Sequence, residues 1–468
     1  MRIGYHRRRL ADFLGGMRLS RELIRRERWP RGRLRRHQQE RLDALVGYAV
    51  EHSPFYRERL SGVLGSGPVE LSSLPVMDRA RMMDHYDELV TDSRLRRDEL
   101  LAWIERLKRD EFYLGEYRAM TTSGSSGRKG LFVYDEVGWR AIVAMFLRQS
   151  AWMEVKPRLP RRFRMALIGG VAPSHMSRQG SATLGVGVHR FLGLPLTLPI
   201  DRMVKELNRF RPEFLNAYPS VAMRLAEEQL AGRLRLSLTM MSTSSELRTP
   251  EMTERLVEAF GVRPFNLYAT TEGLWGVECE RHEGIHLFED TALFENVDAE
   301  GKPVPAGEPG ARLLVSFLHN LVQPIIRLEL ADSVTIESEP CACGRTLVRA
   351  RAIEGRSDDV LRLPARGGGE VAVHPTEFGI MTRDREVREF QVLQEGPRLR
   401  ILVVPRPAAS GELAARLRDA ASRRLAELGV EEPRVAVERR DGLARSAGGK
   451  LQLVVADPAA RQAHIGLQ

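Results

Sequence analysis

Residues 214–232 read FLNAYPSVAMRLAEEQLAG: a strand-like apolar run, FLNAY, followed by a helical pattern, PSVAMRLAEEQLAG. Working outward, the alternation extends from RFRMALIGG (162–170) to VRPFNLYATTEG (262–273). RMALIGG, LTMMSTS and PFNLY are further strand-like runs, and TPEMTERLVEAFG a further helix. Strands separated by helices pair in parallel and gather ligands beyond their carboxyl ends, so the expected class is α/β. The tail reads differently. VREFQVLQEGPRLRILVVP, GELAARLRDAASRRLAELG and KLQLVVAD give strand, strand, helix, strand, a small α+β unit of its own. The pattern breaks at EGRSDDV (354–360), which places a large domain of helix-covered sheets at 1–354 and a small hinged one at 355–468.

At 468 residues the chain exceeds one ordinary core, which leaves room for a cleft between domains. Its 43% apolar content and mean hydropathy of −0.29 are those of a globular protein. No apolar run is long enough to span a bilayer, and MRIGYHRRRLADFLGG lacks the apolar core of a secretory signal, so a cytoplasmic location is expected. Lys+Arg 72 against Asp+Glu 62 gives 72 − 62 = +10, and arginines crowd residues 7–36. Aromatic residues of the kind that stack bases are not interleaved there, which disfavours nucleic acid. A solvated face on the helices suggested by LSRELIRRERW and HQQERLDALVGYAVEHS is the preferred reading, with docking of an acidic partner the alternative.

Residues 120–130 read MTTSGSSGRKG. Glycines let the backbone wrap phosphate oxygens, hydroxyls donate to them, and Arg128 and Lys129 neutralise charge. The spacing is neither that of a Walker loop nor G-x-G-x-x-G, so the stretch alone is balanced between a phosphate loop and a surface loop.

Read with the rest of the chain, TTSGSSGRKG resembles the phosphate-gripping signature of the adenylate-forming superfamily, which includes acyl-CoA synthetases, peptide-synthetase adenylation domains and luciferases. NLYATTEG (266–273), PIIRLELADSV (324–334), EGRSDDVLRL (354–363) and LARSAGGKLQ (443–452) resemble its later motifs, in order. YAVEHSPFYRERL, AYPSVAMRLAEE, TSSELRTPEMTERLVEAFG and EPCACGRT resemble the phenylacetate-CoA ligase branch. The resemblance runs from about Arg41 to the end. It implies an enzyme that joins a carboxylate to the α-phosphate of ATP and passes the acyl group to a thiol. Ser123, Gly124, Ser125, Ser126, Gly127 and Lys129 would hold the triphosphate, Thr271 the α-phosphate, and Glu272 a Mg²⁺ ion. Asp332 would take both ribose hydroxyls, Arg356 the ribose or phosphate, and Ser245, Glu246 and Tyr268 the adenine. Asp358 would be the hinge pivot. Lys450, after two glycines on the mobile domain, would bridge the carboxylate and α-phosphate as charge shifts between them.

ECERHEGIHLFED (278–290) and EPCACGRT (339–346) hold every cysteine of the chain. Cys279, His286, Cys341 and Cys343 form a set suited to a closed structural zinc site, with His282 the alternative imidazole. One departure stands out: LRLPARGGGEVAVHP follows the hinge where CoA-using relatives usually carry an Arg-Gly-x-Asn turn. The acceptor is therefore left open among CoA, an acidic carrier protein's thiol, and an amine. IGGVAPSHM, NAYPS and LYATTEGLWG, with Trp275, suit an aryl or short acyl acid. A homodimer is compatible with the sequence. The competing readings are a stand-alone adenylase that passes its product to an amine, and a basic nucleotide-binding or nucleic-acid-binding scaffold without turnover.

Overall fold

The proline within residues 214–232 is the joint between two elements. The strand Phe214–Ala217 ends, Tyr218 stands at the cap, and Pro219 opens the helix Pro219–Leu230, a position where its missing N–H leaves nothing unpaired. The computed structural model describes residues 2–65, 67–122, 130–155, 162–187, 189–356, 359–446 and 449–457. Contacts divide the chain into two compact units. One comprises Met1–Pro195, Phe265–Leu330 and Thr335–Ala352; the other comprises Leu196–Pro264, Ala331–Val334 and Ile353–Gln468.

In the first unit the helix Arg2–Arg26 packs along Glu136–Trp152. Gly16 permits the approach, because a Cβ there would meet Val143 Cγ1 at 2.4 Å. Glu136–Trp152 is capped by Asp135, whose carboxylate accepts the Gly138 N–H at 2.7 Å, and it buries Trp139, Ile142, Val143 and Met145. Strands Arg118–Thr122 and Gly130–Tyr134 pair antiparallel with Thr122 opposite Gly130, so residues 123–129 connect them. Phe163–Gly169 and His189–Pro195 pair in parallel around the helix Met176–Leu184. Phe265–Ala269, Trp275–Glu278 and Ile285–Leu287 form an antiparallel ribbon, joined through Ile285 and His286 by the strand Arg349–Arg356. Ala292–Val297, Arg312–Phe317 and Ile325–Leu330 make a separate antiparallel sheet.

In the second unit Phe214–Ala217 and Met240–Ser244 pair in parallel, as the alternating pattern implies. Pro250–Phe260 begins on the Thr249 cap and stops at Gly261, whose φ of +70° is a left-handed helix end. The tail forms a four-stranded sheet in the order Arg434–Arg439, Arg398–Pro405, Val387–Glu395, Val454–Val455. With the helix Leu413–Glu427 it encloses a core of Phe378, Phe390, Ile401, Leu417 and Leu425.

The expected α/β class and the α+β tail are both present. Two tail elements were not anticipated from sequence. Arg434–Arg439 is an edge strand whose RVAVER alternation carries a charge at each end, and LRLPARGGGEVAV folds as a hairpin, Leu361–Pro364 against Glu370–Val373. The solvated arginine face holds for most of residues 7–36, but Arg26 is buried, paired with Glu22 and bonded to His37 at 2.8 Å. Among the described residues no helix is long and apolar enough to cross a membrane.

Candidate adenylation site and cysteine–histidine cluster

Of the expected nucleotide-binding residues, Ser123, Gly124, Ser125, Ser126, Gly127 and Lys129 lie outside the described residues, as does the hinge residue Asp358. The others fall into one group in each unit.

In the first unit the chain turns sharply after Phe265–Ala269. Gly273, at φ +104°, makes the turn, and a Cβ there would meet Phe317 at 2.3 Å. Thr271 and Glu272 ride on this turn. The Thr271 carbonyl accepts from the Tyr134 hydroxyl, and the Glu272 carboxylate, 4% exposed, pairs with Arg79. Arg79 also reaches Thr122 Oγ1 at 3.3 Å. Both strands that flank residues 123–129 are thereby joined to the Thr271–Glu272 turn. Arg79 went unassigned in the sequence reading, because an arginine 193 residues from its partner carries no local signal. Tyr268 is half-buried on the strand before the turn. Trp275 is fully buried, donates to the Thr270 carbonyl at 3.0 Å and meets Phe146 edge-on at 4.5 Å, so it serves this unit's core.

In the second unit Lys450 lies near three of its expected companions. Burial pushes its ammonium below the usual lysine range and Arg356 acts in the same direction, while Glu246 and Asp332 oppose them. Asp332 begins the strand Asp332–Ile336, and Arg356 ends Arg349–Arg356. Lys450 Nζ stands 5.4 Å from the Tyr218 ring centroid. Ser245 is exposed, with φ +70°. Glu246, pushed above the usual carboxylate range by burial, accepts backbone N–H groups from Ser220 at 2.9 Å and Leu451 at 3.0 Å.

The cysteine–histidine set also converges. One ligand atom from each of Cys279, His286, Cys341 and Cys343 lies within 4.8 Å of all the others, and all four residues are buried. Cys279 and Cys341 sulfurs are 3.7 Å apart, and Cys343 Sγ is 3.5 Å from His286 Nε2. A tetrahedron of Zn–S bonds has edges of about 3.8 Å, so the spacing suits that ion. His286 Nδ1 lies 2.9 Å from the Leu347 carbonyl, which can only accept, so the proton sits on Nδ1 and Nε2 is left to face the thiols. His282 is turned away, with its Nδ1 3.0 Å from Glu278. The surrounding loop is braced by the junction between the two N-terminal helices: Arg28 donates to the Cys343 and Gly344 carbonyls at 3.4 Å, and Arg345 reaches Glu27 at 3.2 Å.

The fold is that of the adenylate-forming ligases. The crystal structure of 2-hydroxyisobutyryl-CoA ligase in its postadenylation state has this fold, with a TM-score of 0.72 at 22% identity over 95% of this chain and 94% of that one. No protein-family model matches the chain. The phenylacetate-coenzyme A ligase of Thermus thermophilus is 31% identical over 373 residues, 75% of each chain. That of Pseudomonas putida is 24% identical over 356 residues, 74% of each chain. The chain belongs to the phenylacetate-coenzyme A ligase family.

Proposed function

We propose that the chain is an ATP-dependent carboxylic acid ligase that forms an acyl-adenylate, releases pyrophosphate and transfers the acyl group to the thiol of CoA. The observation that carries this reading is Lys450 on a tight glycine turn, with Glu246, Asp332 and Arg356 all close enough to act on its charge. Two relatives bear the name phenylacetate-CoA ligase, and the structural neighbour is known with acyl-AMP and CoA bound, which supports the same chemistry.

An attacking carboxylate and a triphosphate repel each other, so the site must neutralise charge as the bond forms. Lys450 would donate to both the carboxylate and the α-phosphate. Thr271 would donate to the α-phosphate, residues 123–129 would wrap the β- and γ-phosphates, and Asp332 would accept from the ribose hydroxyls. Arg356 would meet the ribose or phosphate, while Ser245 and Tyr268 would flank the adenine. Glu272 offers the hard oxygen ligand that Mg²⁺ prefers, and its pairing with Arg79 orients the carboxylate. When bound, that ion supplies charge neutralisation on the triphosphate. Residues 355–468 would move as a domain on Asp358 between the two half-reactions. Cys279, His286, Cys341 and Cys343 would hold a structural zinc ion.

The acid is proposed to be an aryl or short acyl acid. ATP–pyrophosphate exchange over a panel containing phenylacetate, benzoate and short hydroxy acids tests the reading: exchange with one acid is expected, and silence with all of them overturns it. The exposed arginines on Arg2–Arg26 and Arg31–His52 favour a second acceptor, the thiol of an acidic carrier protein. Salt-sensitive capture by such a carrier, with acyl transfer to it in preference to CoA, would establish that alternative.

A further inference from the structure

After the strand Met240–Ser244 the left-handed Ser245 redirects the chain, and Glu246 comes to face the first turn of the helix Pro219–Leu230. Its Oε2 accepts the Ser220 N–H at 2.9 Å, at a helix start where a negative charge is favoured. Its Oε1 accepts the Leu451 N–H at 3.0 Å, on the residue directly after Lys450. A single carboxylate thus ties the start of one helix to the lysine loop, which lies 205 residues beyond Glu246 in the sequence.

The loop it grips is already a formed turn. The Ser446 N–H donates to the Lys450 carbonyl at 3.0 Å, and Ser446 Oγ accepts the Lys450 N–H at 3.1 Å. Gly449 has φ +85°, and a Cβ there would stand 2.7 Å from Leu196 Cβ, so only glycine lets the loop settle at that depth. Arg445 Nη1 donates to Ser220 Oγ at 3.2 Å, the residue whose N–H Glu246 also holds. Removing the Glu246 carboxylate would leave the Ser220 and Leu451 N–H groups without this acceptor while the internal turn survives. The expected result is a loop that keeps its shape and loses its seat.

We infer that Glu246 is a latch, a positioning residue that seats the lysine loop for acyl-adenylate formation and lets it go for acyl transfer. The inference rests on the ligase reading and deepens it. A group that acts only by holding Lys450 in place raises the effective concentration of its ammonium at the reacting atoms, so its loss slows the step that uses Lys450 and spares the step that does not.

Glu246→Gln tests this, and Gly449→Ala, which lifts the loop off Leu196 by an independent route, supports the same test. Single-turnover pyrophosphate release from ATP and phenylacetate is expected to slow about tenfold or more in both variants, the scale of one charge-assisted hydrogen bond. In Gly449→Ala half-saturation by ATP should move by less than about twofold, because Lys450 acts on the reacting atoms and not on nucleotide binding. In Gly449→Ala thioester formation from synthetic phenylacetyl-adenylate and CoA should be unchanged or faster. Trypsin should cut after Arg445 and Lys450 faster in the variants than in the parent, at unchanged overall circular dichroism. Equal slowing of both half-reactions in Gly449→Ala, unaltered pyrophosphate release, or unaltered cleavage at those two bonds would each overturn the latch. If the parent protein neither releases pyrophosphate with any acid nor consumes the adenylate, the ligase reading falls, and the trypsin comparison, which needs no substrate, still decides whether Glu246 seats the loop.

Discussion

Replacing Lys450 by alanine removes the one ammonium that the lysine loop presents, and pyrophosphate release should fall by several orders of magnitude, on the scale of losing a preorganised donor to a developing charge. The turn around it is held by backbone atoms and Ser446, so circular dichroism should not change. Retained pyrophosphate release would remove Lys450 from the chemistry. Arg79 invites a second substitution. Its guanidinium joins the Glu272 carboxylate to Thr122, so Arg79→Gln should raise the half-saturating ATP concentration about tenfold while leaving the maximal rate closer to the parent value. Steady-state titration with ATP at fixed excess Mg²⁺ separates the two effects. At this scale the sequence was legible where the residues proposed for the chemistry sit in contiguous motifs: Thr271–Glu272, the Lys450 loop, and the cysteine pair. It was silent on Arg79 and on the backbone groups that Glu246 holds, because such pairings are created by packing between segments far apart in the chain.

Elements were readable wherever hydrophobic period and turn chemistry agreed. The join at Pro219, the Thr249 and Asp135 caps and the Gly261 stop are local signals, and each marks a boundary in the structure. The hairpin Leu361–Pro364/Glu370–Val373 escaped because its strands are four residues each and its turn is a run of glycines, which reads as a linker. The choice of His286 over His282 also depends on an element: His286 lies on the strand Ile285–Leu287 and faces the cysteines, while His282 sits in the preceding turn at φ +54°. If zinc occupies this set, it fastens the loop that Arg28 and Arg345 bind to the N-terminal helix junction. Metal analysis should then find one zinc per chain in the parent and none in Cys341→Ser, whose melting temperature should drop by about 5 °C or more. Substoichiometric zinc in freshly purified parent protein would remove the claim.

Over the whole molecule, the fold class was legible because strand and helix alternate over long stretches, whereas the response to pH depends on burial that no sequence pattern displays. His37, His189 and His319 all have their pKa values lowered, burial being the largest cause in each. His319, 7% exposed, is the extreme case: burial, then the nearby Arg41, Arg26 and His37, bring it down to about 3. In the unfolded chain each would take a proton near pH 6.5. A base with a depressed folded pKa contributes stability that is complete above about pH 6.5 and is lost as pH falls towards the folded value, at up to about 1.4 kcal/mol per pH unit per group. Asp12 works the other way. Burial raises its carboxyl to about 6, so its contribution is complete below about pH 4 and is lost as pH rises through 6. The part of the stability that His319 carries should therefore decline between pH 6.5 and 4.5, against the opposite slopes of Asp12, Asp135 and Glu246, whose carboxyls burial raises. Urea unfolding at half-unit pH intervals measures that slope, and His319→Gln should reduce it by about 1 kcal/mol per pH unit whatever its effect at pH 7. A parallel pH profile in the variant would show that His319 takes up no proton on unfolding, and the acid lability would then have to reside in other groups.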